Sequence, residues 1–344
     1  MNLRQLVANP QAREITKRFA QNYLTGKPLA AFLLATEDCQ ADCDFCGYRR
    51  SDTKRERTKP IGSYVEALQP LNLPFLSIVG GEPLLRRDLA KIIRESKEKN
   101  RIPYVHVVTN AGLLTQKRYR ELEEAGLDGL IISLDFASTA HSTERGIKNL
   151  YDRIAWLIPQ LNGRTQVTLN AILMRENLIR SDNHTEDVQG IVEFAKRLGV
   201  HVNFGAYSHS RNGNDSHMPL EADRKIVEQT VKYLIEAKAE GGAVNSSEDY
   251  LKKSGEFLNG KEIENCQAGK RFLWISSDGK YMPCNDYPQY TYETPKGAMT
   301  FPIAKTCTAC YTSCRGLTEQ LSSHNPIKVA IAGKSLIQNF RLSS

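Results

Sequence analysis

Residues 75–99 read FLSIVGGEPLLRRDLAKIIRESKEK. The opening FLSIV is apolar except for Ser77 and rich in branched side chains, as a strand covered on both faces requires. Gly80 and Gly81 break the run, Glu82 and Pro83 follow, and residues 86–99 turn to helical periodicity among charges. A buried strand turning directly into an amphipathic helix is the repeating unit of a parallel α/β sheet. Outward from it the same unit recurs: AAFLLAT (30–36) before, then YVHVVTN (104–110), GLIISLD (129–135), QVTLNAIL (166–173) and HVNFGAY (201–207). Helical stretches such as QKRYRELEEAG (116–126) lie between them. Six units are too few for a closed eight-stranded barrel. The expectation is an α/β fold: a partial (β/α)6 TIM-type barrel.

The flanks divide the chain further. Residues 1–29 read as an N-terminal helical extension, and 30–245 as the barrel core. After Tyr207 comes the polar loop 208–219, then a helix at about 220–240. Residues 246–325 read as a small loop-rich domain, with WISSDGKYMPC (274–284) forming a hairpin turned at Asp278-Gly279. Residues 326–344 form a basic amphipathic tail. With 40% hydrophobic and 25% charged residues, the composition is that of a globular chain. The N-terminus lacks the apolar core of a signal peptide, and no run approaches the roughly 18 apolar residues of a membrane span. A cytoplasmic protein without a transmembrane segment is expected. The net charge of +7 suits an anionic substrate or acidic protein partner. No aromatic-and-basic repeat marks a nucleic-acid binder.

All eight cysteines fall in two groups far apart in the chain. Cytosolic thiols stay reduced, so tight spacing points to metal rather than disulfides. Residues 39–46, CQADCDFC, have the spacing C-x3-C-x2-C. Three thiolates can hold three irons of a [4Fe–4S] cluster and leave the fourth iron open. Three cysteines and a water on zinc, or three unliganded thiols, are the alternatives. Ligands of such sheets gather at the strands' C-terminal ends. Cys39, Gly80, Gly81, Glu82, Thr109, Asn110, Ser133, Asp135, Asn170 and Tyr207 all fall there. Each has a plainer reading: a turn for the glycines, strand-end hydrogen bonds for Ser133 and Asn170. Arg145, after the fourth strand, has the plainer reading of pairing with a nearby acid.

C-x3-C-x-F-C after the first strand, with GGEP after the second, resembles the radical S-adenosylmethionine (radical SAM) superfamily over about residues 30–207. The resemblance implies that Cys39, Cys43 and Cys46 ligate a [4Fe–4S] cluster whose fourth iron is chelated by SAM. It implies that Phe45 helps seat the adenine, Tyr207 borders it, and Gly80, Gly81 and Glu82 meet the methionine amino group. Asn110 joins the cofactor-binding set. Ser133 and Asp135 would meet the ribose or methionine part, and Asn170 and Arg145 the carboxylate and ribose. The implied chemistry is reductive cleavage of SAM to a 5′-deoxyadenosyl radical that removes a hydrogen atom from an unactivated carbon.

Cys266 and Cys284, spaced C-x12-G-x4-C, and Cys307, Cys310 and Cys314 in CTACYTSCRG resemble the auxiliary-cluster domains called SPASM and twitch. Five cysteines imply one auxiliary [4Fe–4S] cluster with one thiol left over. Cys266, Cys284, Cys307 and Cys310 match the twitch arrangement, and Cys314 is then spare, packed or a hydrogen donor. Alternatively Cys314 ligates in place of Cys307 or Cys310, or four cysteines hold a structural zinc. The basic stretch 48–59 reads as a solvated loop or as a docking face for a flavodoxin- or ferredoxin-like electron donor. The substrate is expected to be a small molecule, with a ribosomally made peptide as the alternative. A non-catalytic metal-binding or electron-transfer protein is the alternative of another class.

Overall fold

The computed structural model describes residues 9–48, 62–179, 187–210, 212–300 and 307–321. The basic residues 49–59 and the tail 326–344 lie outside the described residues. Helix α1 spans Pro10–Thr25, capped by Asn9, whose side chain accepts from the Ala12 amide. Strands β1 (Ala30–Leu34), β2 (Phe75–Val79), β3 (Tyr104–Thr109), β4 (Gly129–Ser133), β5 (Gln166–Leu173) and β6 (His201–Ala206) follow in the six expected places. Helices α2 (Gly62–Leu68), α3 (Leu89–Glu98), α4 (Gln116–Glu124), α5 (Ala140–Glu144), α6 (Leu150–Leu157) and α7 (Val188–Leu198) are the crossovers.

The sheet order is β6-β5-β4-β3-β2-β1-β7-β8, parallel except for the last pair. The barrel is open. Along the middle of β3 to β6 burial alternates: Val107, Leu130, Leu169 and Phe204 are buried beneath the helices, whereas His106, Ile131, Asn170 and Asn203 are part-exposed. The second set faces inward, so the sheet surrounds an accessible lumen rather than a filled core. The N-terminal end of that lumen is closed by α1, whose Ala12 and Ile15 pack with Ala30, Phe75, Tyr104 and Phe272. Gln11 Nε2 locks the plug by donating to Pro103 O (2.7 Å) and Asp128 Oδ1 (2.6 Å).

One difference from the sequence reading has a clear physical cause. The helix after β2 starts at Leu89 rather than Arg86. Arg86 is instead drawn inward, bonded to Ala35 O (3.0 Å), Tyr64 Oη (2.8 Å) and Asp88 (2.6 Å). Further on, the chain forms α8 (Arg224–Ala239) and α9 (Glu248–Leu258), and Leu251 and Leu258 of α9 join the main core. Strand β7 (Phe272–Ile275) then pairs in parallel with β1, Phe32 opposite Trp274, so the sheet continues into the cysteine-rich region. Hairpin β7–β8 (Tyr281–Met282) turns at Asp278-Gly279, with Gly279 at φ 83°. Two short helices, α10 (Pro295–Met299) and α11 (Ser313–Leu321), complete the described chain. No helix among the described residues is long and apolar enough to cross a membrane.

Candidate active site

The loop after β1 carries Cys39, Cys43 and Cys46 over the C-terminal end of the sheet. Cys43 is buried and the other two are half-buried. Burial, with a smaller push from Cys46, brings the Cys39 thiol up to about 11 and the Cys43 thiol up to about 12. The loop is stitched to the Gly-Gly-Glu turn: Gly81 N donates to Thr36 O and Glu82 N to Asp38 O, each at 2.8 Å. The two glycines are required by this approach. A Cβ on Gly80 would stand 2.3 Å from Thr36 O, and one on Gly81 2.1 Å from Asp38 O. Their immediate neighbour is thus the backbone of the cysteine loop.

Glu82 is completely buried. Its Oε1 accepts from Leu84 N (3.0 Å) and Thr109 Oγ1 (2.7 Å), and its Oε2 from Asn110 N (2.8 Å). Burial raises its pKa, and these three donors oppose the rise. Asn110 continues the chain of contacts: its Oδ1 accepts from Gln40 Nε2 (3.0 Å), and its Nδ2 points at Cys39 Sγ (3.7 Å).

On the other side of the loop, Asp135 and Arg145 form a buried pair, Nη2 to Oδ2 at 2.5 Å. Asp135 Oδ1 also accepts from Ile172 N (3.0 Å). Burial alone would depress the Arg145 pKa, but Asp135 and the Cys43 thiol hold it above its ordinary value. The Arg145 guanidinium lies 5.6 Å from the centre of the Phe45 ring, and its Nε is buried without a hydrogen-bond partner among the described residues. Ser133, the last residue of β4, is in register with Asn170 inside β5. Tyr207, also buried, packs with Cys43 and Phe45, and its hydroxyl donates to Asn214 O (2.8 Å). Phe45, Gly80, Gly81, Glu82, Asn110, Asp135, Arg145 and Tyr207 are thus gathered about the cysteine loop, with Ser133 and Asn170 in register on β4 and β5.

The distal cysteines also converge. Burial is the largest cause raising the thiol pKa of Cys266, Cys284, Cys310 and Cys314, and a neighbouring thiol adds to each: Cys307 to Cys266, Cys314 and Cys310 to Cys284, Cys314 and Cys266 to Cys310, and Cys266 to Cys314. Tyr287 Oη lies 3.9 Å from Cys307 Sγ. Arg315, fully buried, draws the segments together by donating to Cys310 O (2.8 Å), Cys307 O (3.4 Å), Glu264 O (2.7 Å) and Ile263 O. The two groups are joined across the sheet. Tyr48, two residues after Cys46, bonds Asn285, which follows Cys284. Ser208 Oγ donates to Ala309 O (3.1 Å) and Ser210 Oγ to Asp286 Oδ2 (2.7 Å), while Asn212 Nδ2 from the same loop reaches Asp44 O (3.2 Å).

Gln40, Tyr48, Asn285 and Arg315 escaped the sequence reading, because each acts through contacts that local spacing does not encode. So did His217, whose ring nitrogens lie 2.8 Å from Asp44 Oδ1 and 3.1 Å from Glu176 Oε1. Its position in the polar loop 208–219 was the available signal.

A probable GTP 3′,8-cyclase of Thermoplasma volcanium is 28% identical over 285 residues, 76% of this chain and 81% of that protein. The PqqA peptide cyclase of Bradyrhizobium diazoefficiens is 27% identical over 271 residues, 76% of this chain and 67% of its own. Among solved structures, anSMEcpe with bound AdoMet superposes at TM-score 0.60 with 16% identity, covering 91% of this chain and 96% of that one. SuiB of Streptococcus suis, bound to its precursor peptide SuiA, gives TM-score 0.58 at 18% identity over 80% of this chain, which spans 64% of SuiB's length. At these identities the structures establish the fold. Residues 33–207, from β1 through β6, match the Radical SAM superfamily, so the chain belongs to that family and is an enzyme.

Proposed function

We propose that this enzyme abstracts a hydrogen atom from a small-molecule substrate held in the barrel, giving a dehydrogenation, epimerisation or related rearrangement. The observation that carries the reading is the gathering of Cys39, Cys43, Cys46, Glu82, Asn110, Asp135 and Arg145 around the open end of one lumen. When bound, a [4Fe–4S] cluster and SAM together supply one electron and a 5′-deoxyadenosyl radical.

The residues suit those groups. Burial disfavours thiolates at Cys39 and Cys43, and cationic irons relieve that penalty. The same argument applies to Glu82: a buried carboxylate with a raised pKa favours a cation beside it, such as the SAM ammonium. Arg145 Nε is a buried donor in need of an acceptor, which a carboxylate or ribose oxygen supplies. In this reading Cys39, Cys43 and Cys46 hold the cluster. Phe45, Gly80, Gly81, Glu82, Asn110, Ser133, Asp135, Arg145, Asn170 and Tyr207 shape the SAM site, Asp135 by orienting Arg145.

The distal cysteines hold one auxiliary [4Fe–4S] cluster in a twitch-like region, which assists electron transfer or anchors substrate. A flavodoxin- or ferredoxin-like donor and a cytoplasmic location complete the reading.

Peptide maturation is the second reading, favoured by the likeness to the PqqA peptide cyclase. One assay separates the two. The protein is reconstituted anaerobically, then given SAM, reductant and fractionated host extract, and 5′-deoxyadenosine is measured. Stimulation by the small-molecule fraction is expected; stimulation by the peptide fraction alone moves the function to peptide maturation. No release from iron-loaded, reducible protein refutes the assignment of the rim residues to SAM.

A further inference from the structure

The inward-facing strand positions carry a consistent chemistry. Phe32, Ser77, His106, Asn203 and Trp274 are typical of them, and none of these positions on β1 to β8 holds Asp, Glu, Lys or Arg. Of the charged groups at the rim, Asp135 and Arg145 pair with each other and Glu82 is held by Leu84, Thr109 and Asn110. Deep in the lumen, Trp274, Phe32, Ser77 and His106 form one register row across four adjacent strands. Phe32 and Trp274 are stacked, with ring centroids 5.1 Å apart and planes 24° off parallel. Trp274 Nε1 and His106 Nδ1 are buried with no hydrogen-bond partner among the described residues. Burial also drives His106 down to about 4, so it is neutral at ordinary pH.

Trp274 occupies a central place. It packs on Leu34, Tyr48 and Met282, the cluster that Cys46 also touches. It packs as well on the cluster that Cys284, Cys307 and Cys314 touch. The Trp274 end of the row therefore borders both cysteine groups, and the row lies directly above the residues that pack on the α1 plug.

From this placement, and resting on the reading of the rim as the radical site, we infer that the lumen takes a neutral ring. The ring lies against Phe32–Trp274 and offers hydrogen-bonding substituents to Trp274 Nε1 and His106 Nδ1. A charged group in the same place would be desolvated without a partner, which is strongly unfavourable. An aromatic wall binds a ring face, whether of a sugar or of a planar group. Charged parts of the substrate stay at the mouth. The ring belongs either to a free metabolite or to a side chain of a peptide, and the test has an arm for each.

The chain contains two tryptophans. Trp156 is 66% exposed and far in character from the site, so Trp156→Phe leaves Trp274 as the sole tryptophan reporter. Reconstituted protein is dialysed against methyl glucoside and methyl glucuronide, and against N-acetyl-tyrosinamide and its O-phosphate. Binding of one neutral probe is expected, with a saturable change in Trp274 emission and at least about tenfold weaker binding of its charged counterpart. Phe32→Ala and Trp274→Leu should each weaken that binding about three- to tenfold while SAM binding, measured in parallel, is unchanged. Trp274→Phe should keep most of it. Protein that binds SAM but neither neutral probe, or that binds charged and neutral forms alike, overturns the inference. Loss of SAM binding in the unsubstituted protein overturns the radical reading instead.

Discussion

Tyr48 Oη donates to Asn285 Oδ1 at 2.7 Å, across 237 residues of sequence. The Tyr48 amide also donates to Cys46 Sγ at 3.4 Å, and Asn285 directly follows Cys284. One side-chain bond thus ties the proximal cysteine loop to the distal one. Tyr48→Phe should cost about 0.5–1.5 kcal/mol of stability. In a double-mutant cycle with Asn285→Ala, measured by urea denaturation of the reconstituted protein, a coupling near 1 kcal/mol is expected. Additive effects would show that the bond does no such tying.

Breaking the buried Asp135–Arg145 pair should be severe. Arg145→Met leaves Asp135 buried without its cation and should cost about 3–5 kcal/mol. Asp135→Asn combined with Arg145→Met should recover part of that stability, since no unpaired charge remains. Neither variant should retain ordinary SAM affinity, which equilibrium dialysis would measure.

Gly81→Ala tests the seat of the cysteine loop. Its Cβ would meet Asp38 O at 2.1 Å, so the backbone of the loop must move. A loss of about 1–3 kcal/mol and lower iron incorporation are expected, with the far-UV spectrum unchanged. Full iron loading would show that the loop accommodates the methyl group.

His217 carries a pH signature. Burial opposes its protonation, but Asp44 and Glu176 prevail and raise its pKa; Glu144 also faces it. A histidine held above its unfolded value stabilises the fold fully below pH about 6.5. That contribution is lost as pH rises through the folded value. The stability difference between the protein and His217→Gln should therefore be largest near pH 6 and shrink toward pH 9. A difference independent of pH would mean the ring is neutral throughout.

Replacing Cys39, Cys43 and Cys46 together with Ala should leave about four irons per chain, held by the distal cysteines. Iron and sulfide analysis after reconstitution decides this. Zinc in their place, or no iron at all, would contradict the two-cluster reading.

The six strands, the turn at Asp278-Gly279 and the strand-end position of Glu82 were legible in the chain, because hydrophobic periodicity and glycine placement are local signals. So was the first cysteine group, whose ligands are neighbours in sequence. The parallel pairing of β7 with β1 was not: Phe272 and Ala30 meet only after the whole barrel has wound between them. Nor could spacing show that Gly81 presses on Asp38, or that Tyr48 reaches Asn285. Sequence alone thus determined the family, the barrel units and the three-cysteine loop, since these depend on residues a few positions apart. Tertiary structure alone decided that Phe32, Ser77, His106 and Trp274 share one register row, and that Trp274 packs on the clusters both cysteine groups touch. Those relations arise from strand register and long-range packing, which a one-dimensional pattern does not encode.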